Sequence, residues 1–275
     1  MRIILFLESM KFYGIVDMYF KTIDFSKFSS IKVGVPIEVL MLERNDEIPN
    51  DRTIIGHANN LLVSATPPPL MMLSKDFSFI ELEDNILTIG CATPTGKILS
   101  FAKKNDLAGF EFIAKLPGSL GGMVAMNAGV KSYEIFNILE EIKIDGVWVS
   151  KEDIEYGYRF AKLGGVATEV RFKVQKGFDK VLLQELISVR SNQPKIASAG
   201  SAFKNPKGDY AGRLIQEVGL KGVSRGAMQW SEVHANFLVN HNGGTFEDAK
   251  YLIDLAKNRV FEKFGIVLEE EVKIL

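Results

Sequence analysis

The sequence has little of what most ligand-binding signatures are built from. A single cysteine, Cys91, excludes an internal disulfide framework and fits a reducing compartment. It stands in the apolar stretch Ile89-Gly90-Cys91-Ala92, the setting of a small buried thiol. Three histidines (His57, His234 and His241) and that one cysteine give no zinc spacing, so no metal is expected. Charge of one sign is also missing. The 33 Lys and Arg against 34 Asp and Glu leave a net charge of −1, without the field that draws nucleic acid or an anionic membrane. No run reaches the roughly 18 apolar residues of a membrane span. No two glycines stand at i, i+2, so the dinucleotide fingerprint is absent. The stretch Gly90 to Ile98 has one residue too many for a phosphate-binding P-loop, and isoleucine where its Ser or Thr belongs. Without a Gly-x-Ser-x-Gly elbow, hydrolase chemistry has no support.

What is present begins with ordinary globular proportions, 47% hydrophobic and 24% charged residues, enough for one large domain or two to three smaller ones. The apolar run Met1–Leu7 is interrupted by Glu8 and Lys11 too early for a signal peptide. Met10 and Met18 are alternative starts, and residues 1–17 read as a start-site extension of a cytoplasmic protein. Pro67-Pro68-Pro69 marks a boundary, closing a first part at 18–68. Before it, Val33–Leu42, Thr53–Ile55 and Leu61–Ser64 read as strands. After it, Asp145-Gly146 supplies the two-residue turn of a hairpin between 140 and 150. Thr93-Pro94 opens a helix carrying Ile98, Leu99 and Ala102.

In the last third, Ala211, Leu214, Ile215 and Val218 follow helical spacing, with Asp209 expected as cap and Gly219 as stop. Thr245 and Asp248 form a capping-box pattern before the face Ala249, Leu252, Ile253, Ala256, Val260 and Phe264, which Gly265 ends. The segment Ile266–Leu275 alternates. Leu268, Val272 and Ile274 point one way; Glu269, Glu271 and Lys273 point the other, onto a solvated edge or the wall of a site.

Two stretches could cradle phosphates through backbone N–H groups. Ile54–Ser64 contains Gly56-His57-Ala58-Asn59-Asn60-Leu61, and Leu116–Gly129 contains Pro117-Gly118-Ser119 and Gly121-Gly122. Glycine lets the backbone approach an anion, although a tight turn uses the same residues. Ser201, between Gly200 and the run Phe203-Lys204-Asn205-Pro206, raises the same choice between a turn and a presented hydroxyl.

Six motifs in order decide between these readings: "IIGHANNLLVS", "LPGSLGGMVAMNAG", "YGYR" at 156–159, "SAGSAFKNP", "AGRLIQEVGLKG" and "LEEEVKI". Together, over about residues 22–274, the chain closely resembles the UDP-N-acetylenolpyruvoylglucosamine reductase (MurB) family of flavoenzymes. The short span between Tyr158 and Arg190 resembles the family's type without an extra substrate-covering loop.

The resemblance implies an α+β fold, with a two-part FAD-binding region of the vanillyl-alcohol-oxidase type and a C-terminal α+β substrate domain. The divisions expected are 18–68, 69–180, 181–266 for the UDP-sugar domain, and 267–275 for a strand returning to the active site. It implies non-covalent FAD, NADPH as co-substrate, a UDP-sugar substrate and a role in peptidoglycan precursor synthesis. The protein is expected to be a cytoplasmic monomer, with neither nucleic acid nor membrane as partner.

Residue by residue, the resemblance places Gly56, His57, Ala58, Asn59, Asn60, Leu61, Pro117, Gly118, Ser119, Gly121 and Gly122 around the FAD diphosphate. Asn127 and Gly129 would lie near the flavin. Family members usually carry Gly-Gly-Gly-Ser-Asn where this chain has Gly56 to Asn60, which leaves the part played by His57 open. Arg159 matches the family's arginine that faces the developing enolate, Glu271 its catalytic glutamate, and Ser201 its proton donor. Lys204, Asn205 and Lys221 match contacts to the UDP portion. Tyr158, Arg190 and Gln193 are further substrate candidates; Ser231, His234 and Asn236 suit structural hydrogen bonding equally. Two alternatives are a flavin oxidase of related fold and a non-catalytic flavin or nucleotide-sugar binder.

Overall fold

The computed structural model describes residues 19–275; the expected extension at 1–17 lies outside the described residues. The first sheet is short and mixed. Phe20–Asp24 runs antiparallel to Pro36–Leu42, which lies parallel to Leu70–Leu73, and that strand in turn takes Thr53–Ile54 on its far side. Leu70 through Leu73 therefore carry the sheet past the triple proline. The prolines do not end the first unit; they lead into its central strand, and the Pro69 carbonyl accepts from the Thr53 N–H at 2.8 Å. Nor does a strand begin at Val33. Gly34 has φ +126°, Ile31 and Val33 pack into the C-terminal core, and pairing starts only at Pro36.

The second sheet is antiparallel throughout, in the order Val147–Ser150, Leu139–Ile144, Ala167–Lys173, Ile86–Gly90, Ile80–Glu83. Its hairpin turns at Asp145-Gly146 with φ of +47° and +83°, the pair of positive values that a two-residue turn requires to follow strand twist. The helix Thr95–Lys104 buries Ile98 and Ala102 against this sheet's core, which includes Phe110, Phe112, Phe136 and Phe172. The helix Lys180–Val189 joins the same core through Leu183 and Leu186, and the Asp179 N–H donates to Glu111 at 2.8 Å. The expected division at 180–181 thus falls ten residues early: an amphipathic helix goes where its apolar face finds a core.

The third unit carries a four-stranded sheet, Ala197–Ser201, Phe237–Asn240, Met228–Trp230 and Ser224–Arg225, covered by the helices Ala211–Glu217 and Phe246–Phe264. Trp230 is fully buried and stacks on Phe203, their ring centroids 5.9 Å apart. Thr245 caps the long helix by accepting from the Asp248 N–H, and Gly265 ends it at φ +67°. Asp209 does not cap Ala211–Glu217. Tyr210 occupies that position; Asp209 pairs with Arg213, and Asn205 accepts from the Ala211 N–H. The last segment keeps its alternation, with Leu268 and Val272 buried, yet only Lys273–Ile274 forms a strand, parallel to Leu61–Leu62. That strand fastens the third unit to the first. No helix among the described residues is long and apolar enough to cross a membrane.

Candidate active site

The first cradle is a loop from Gly56 to Asn60 held in an unusual backbone shape. Ala58 sits at φ +50°, where glycine is favoured, and its carbonyl accepts from the Ser30 N–H at 3.1 Å. Asn59 closes the loop on itself, donating to the His57 carbonyl at 3.1 Å. Opposite lies the turn Pro117-Gly118-Ser119, with Gly118 at φ +133°, leading into the short helix Leu120–Ala125. The two loops approach so closely that a Cβ on Gly56 would lie 2.9 Å from the Ser119 hydroxyl. Between them, and against Lys273–Leu275, is a cavity of about 370 Å³.

That space continues away from the C-terminal strand. A pocket of about 90 Å³ shares Ile54, Gly56, His57 and Gly122 with it and runs to Leu163, Gly165 and Ala167. An open cleft of about 1050 Å³ then shares Ile54 and Gly165 and reaches Arg44 and Arg52. The result is a trough along the seam between the first two units, with glycines and small residues (Gly56, Ala58, Gly118, Ser119, Gly122) at the cradle end and charged side chains such as Glu43, Arg44, Arg52 and Lys143 around the open cleft. Leu163, Gly165 and Ala167 are missing from the sequence-based site; the pair Gly164-Gly165 was the available signal. Cys91 lines the same trough, fully buried beneath Gly121, and burial pushes its thiol far above the ordinary range. His57 borders two of these spaces. Its ring packs edge-on to Phe28, and burial lowers its pKa against an opposing contribution from the Gly118 backbone.

Asn127 and Gly129 lie off this cavity. Asn127 is completely buried at φ +39°, donating to Glu134 at 2.8 Å and to the Gly157 carbonyl at 3.1 Å. The Gly129 carbonyl accepts from Arg159 Nη2 at 3.2 Å.

Arg159 stands in the turn between Tyr156–Gly157 and Phe160–Ala161, at φ +63°, with its guanidinium 5.0 Å from the Tyr158 ring centre. Its Nε is 3.2 Å from Glu271 Oε1. Burial pushes the Glu271 carboxyl above the usual glutamate range, while Arg159, Lys204 and Arg190 pull the other way. Arg190 ends the helix Lys180–Val189, and its buried Nε has no protein partner. Burial, then the neighbouring Arg159, lowers its pKa, and Glu271 opposes them. A buried donor left open beside an ion pair is suited to an anionic ligand.

Ser201 ends the strand Ala197–Ser201, immediately after Gly200 at φ +83° and a break in register between Ser198 and Ser201. The carbonyl of the next residue, Ala202, accepts from the Glu271 N–H at 2.9 Å, so backbone pairing sets the serine beside the glutamate. Ser201 also opens on a cavity of about 400 Å³ lined by Asn205, Tyr210, Arg213, Lys221 and His234. The Lys221 ammonium rests on Gln216 at 3.2 Å. Lys204 is elsewhere, paired with Glu269 near Glu271. Gln193 stands in the turn after Arg190, its N–H donating to the Arg190 carbonyl at 3.3 Å. Ser231 and Asn236 serve the backbone: Ser231 accepts from the Val233 N–H, and Asn236 bonds both polar groups of Phe203. His234 accepts from the Asn236 N–H at 3.3 Å while bordering the cavity.

Comparison with known proteins gives a consistent result. Residues 192–275 match the family described as UDP-N-acetylenolpyruvoylglucosamine reductase, C-terminal domain. The enzyme of that name from Helicobacter hepaticus is 49% identical over 92% of this chain and 98% of its own length. Its counterpart from Helicobacter pylori strain ATCC 700392 / 26695 is 46% identical, again over 92% and 98%. The crystal structure of the Thermus caldophilus reductase superposes with a TM-score of 0.81 at 31% identity, covering 94% of this chain and 99% of that one.

Proposed function

The chain belongs to the UDP-N-acetylenolpyruvoylglucosamine reductase family, and on that premise we propose how its residues divide the work. It is an FAD-dependent oxidoreductase that uses NADPH to reduce UDP-N-acetylglucosamine enolpyruvate to UDP-N-acetylmuramate, in peptidoglycan precursor synthesis. The first two units hold FAD, the third holds the UDP-sugar, and the protein works as a cytoplasmic monomer.

The trough suits FAD because no side chain fills it. Gly56 to Leu61 and Pro117 to Gly122 would hold the diphosphate through backbone N–H groups, with His57 neutral at its edge. When bound, FAD supplies the hydride for the alkene and is recharged by NADPH. The rest belongs to the protein. Hydride addition at one alkene carbon places negative charge on the other carbon and on the attached carboxylate. Arg159 faces that charge with a fixed cation, and Arg190 offers its open Nε–H to the carboxylate. Glu271, its pKa raised, hydrogen-bonds the enol oxygens more readily in its protonated form. Ser201 delivers the proton from Oγ to the basic carbon and regains one from solvent. Asn205 and Lys221 hold the diphosphate or uracil in the cavity beyond.

One observation carries this reading: the Arg159–Glu271 pair at 3.2 Å, joined through the Ala202 carbonyl to Ser201. Its test is anaerobic. NADPH should bleach the bound flavin, and the enolpyruvyl UDP-sugar should restore its colour. Colour that stays away when the UDP-sugar is added and returns only when oxygen is then admitted would make the protein an oxidase, and failure to bleach would make it a binder.

A further inference from the structure

Arg159 has a long, flexible side chain on a turn residue, so something must aim its fork. Three groups touch its three edges. Glu271 Oε1 lies 3.2 Å from Nε, the Gly129 carbonyl accepts from Nη2 at 3.2 Å, and Glu134 Oε1 lies 3.8 Å from Nη1. The first of these belongs to the C-terminal segment and faces the reaction. The other two come from one hairpin, in which Gly129 and Glu134 are paired residues. Glu134 is itself fixed. Its second oxygen accepts from Asn127 Nδ2 at 2.8 Å, and Asn127 is fully buried with both ends of its amide engaged.

We propose that Glu134 is a positioning residue for the reduction: its carboxylate, locked by Asn127, holds the Arg159 guanidinium in register for the substrate's carboxylate. This rests on the role given to Arg159 above and adds a second acidic residue to the same site. The chemistry asks for it. When substrate engages Arg159, the Glu271 contact has to be shared or given up. A planar guanidinium held only at the Gly129 carbonyl would swing about that single bond. The Glu134 charge supplies the second fixed point, and its distance suits an ion pair that survives a small shift of the fork better than a directional hydrogen bond would. Gly129 is the residue that makes the hairpin tight enough, since a Cβ there would lie 2.0 Å from the Tyr133 carbonyl oxygen and 2.8 Å from Glu134 Cα.

Glu134 also has a local task, because it caps the short turn Ile135–Asn137, where its own N–H donates to Asn137 at 2.7 Å. A cap would act on folding whatever residue stood at 159. The test therefore combines Glu134→Gln with Arg159→Lys in the FAD-loaded protein. FAD content, flavin bleaching by NADPH and reoxidation by the enolpyruvyl UDP-sugar are measured for both single variants and the double. Glutamine keeps the shape and one acceptor for Asn127 but loses the charge. Alone it should slow reoxidation about tenfold, as contacting residues commonly couple, while FAD content and bleaching hold. On the Arg159→Lys background, which is already slow, it should change reoxidation by less than about twofold. Equal slowing on both backgrounds, a wild-type rate for Glu134→Gln, or slowed bleaching would each overturn the inference. If Arg159→Lys by itself reoxidises normally, the role of Arg159 fails, and this inference falls with it.

Discussion

The side-chain amide of Asn60 donates to the backbone carbonyl of Glu271 at 2.9 Å, across 211 residues of sequence. The next pairs repeat the link, with the Lys273 N–H on the Asn60 carbonyl at 2.9 Å and the Leu275 N–H on the Leu62 carbonyl at 3.0 Å. The Glu271 N–H meanwhile reaches Ala202. One short segment thus ties the cradle loop, the carboxylate and the serine strand into a single unit, and the proposed flavin and substrate halves should respond together when it is loosened.

Asn60→Ala tests that coupling. It leaves the Glu271 carbonyl without its donor, a loss of about 1 kcal/mol for a typical hydrogen bond. FAD affinity, followed by flavin fluorescence, and reoxidation by substrate should each fall about fivefold, the same energy expressed as a ratio. A change in FAD affinity alone would place Asn60 in the cradle only.

Ser201→Ala should separate the two half-reactions. On the role proposed for Ser201, bleaching by NADPH uses no proton from it and should keep its rate. Reoxidation draws on that proton and should slow by about 10²–10⁴-fold, the usual contribution of positioned proton transfer. Rapid-mixing absorbance decides; equal slowing of both halves would make Ser201 structural.

Gly118→Ala should cost the protein its flavin. At φ +133° no L side chain is comfortable, and the added methyl would touch Asn59 Nδ2 at 3.5 Å across the cradle. Strain of about 1–3 kcal/mol at that position moves the turn that lines the cavity. The ratio of flavin to protein absorbance after gel filtration should drop well below that of the parent.

The Glu271 carboxyl, raised by burial, makes stability depend on pH. A folded pKa above the unfolded one means the native state binds the proton more tightly. That contribution is full below the unfolded value, about 4.3, and is lost as pH rises through the folded pKa. Glu271→Gln cannot titrate. The melting temperature of the wild type minus that of Glu271→Gln should therefore decline as pH is raised from about 4 toward neutrality. A difference that stays level across that window would contradict the raised pKa.

Much of this protein was determined by sequence alone, wherever neighbouring residues settle the outcome. Asp145-Gly146 had to turn because both positions take positive φ; Thr245 and Gly265 bounded a helix because its ends need a donor's partner and a left-handed stop. The first cradle loop was visible as a polar turn after a strand and the second as a glycine-rich turn, and the residues proposed as reactive stood out only as a set, through family motifs. What the tertiary structure decided were the matters that depend on distant partners. The triple proline looked like an end and proved an entrance, because parallel pairing of Leu70–Leu73 with Pro36–Leu42 is invisible to local pattern. The helix Lys180–Val189 could have covered either core, and its apolar face joined the second. Asn127 stood in the second cradle motif, but its bond to Glu134 showed only in the fold, and Glu134 itself gave no signal until the fold set it beside Arg159. Local sequence fixes dihedral angles and amphipathic faces; which faces meet, and which charges come within 4 Å of one another, follows from how the whole chain fills its cores.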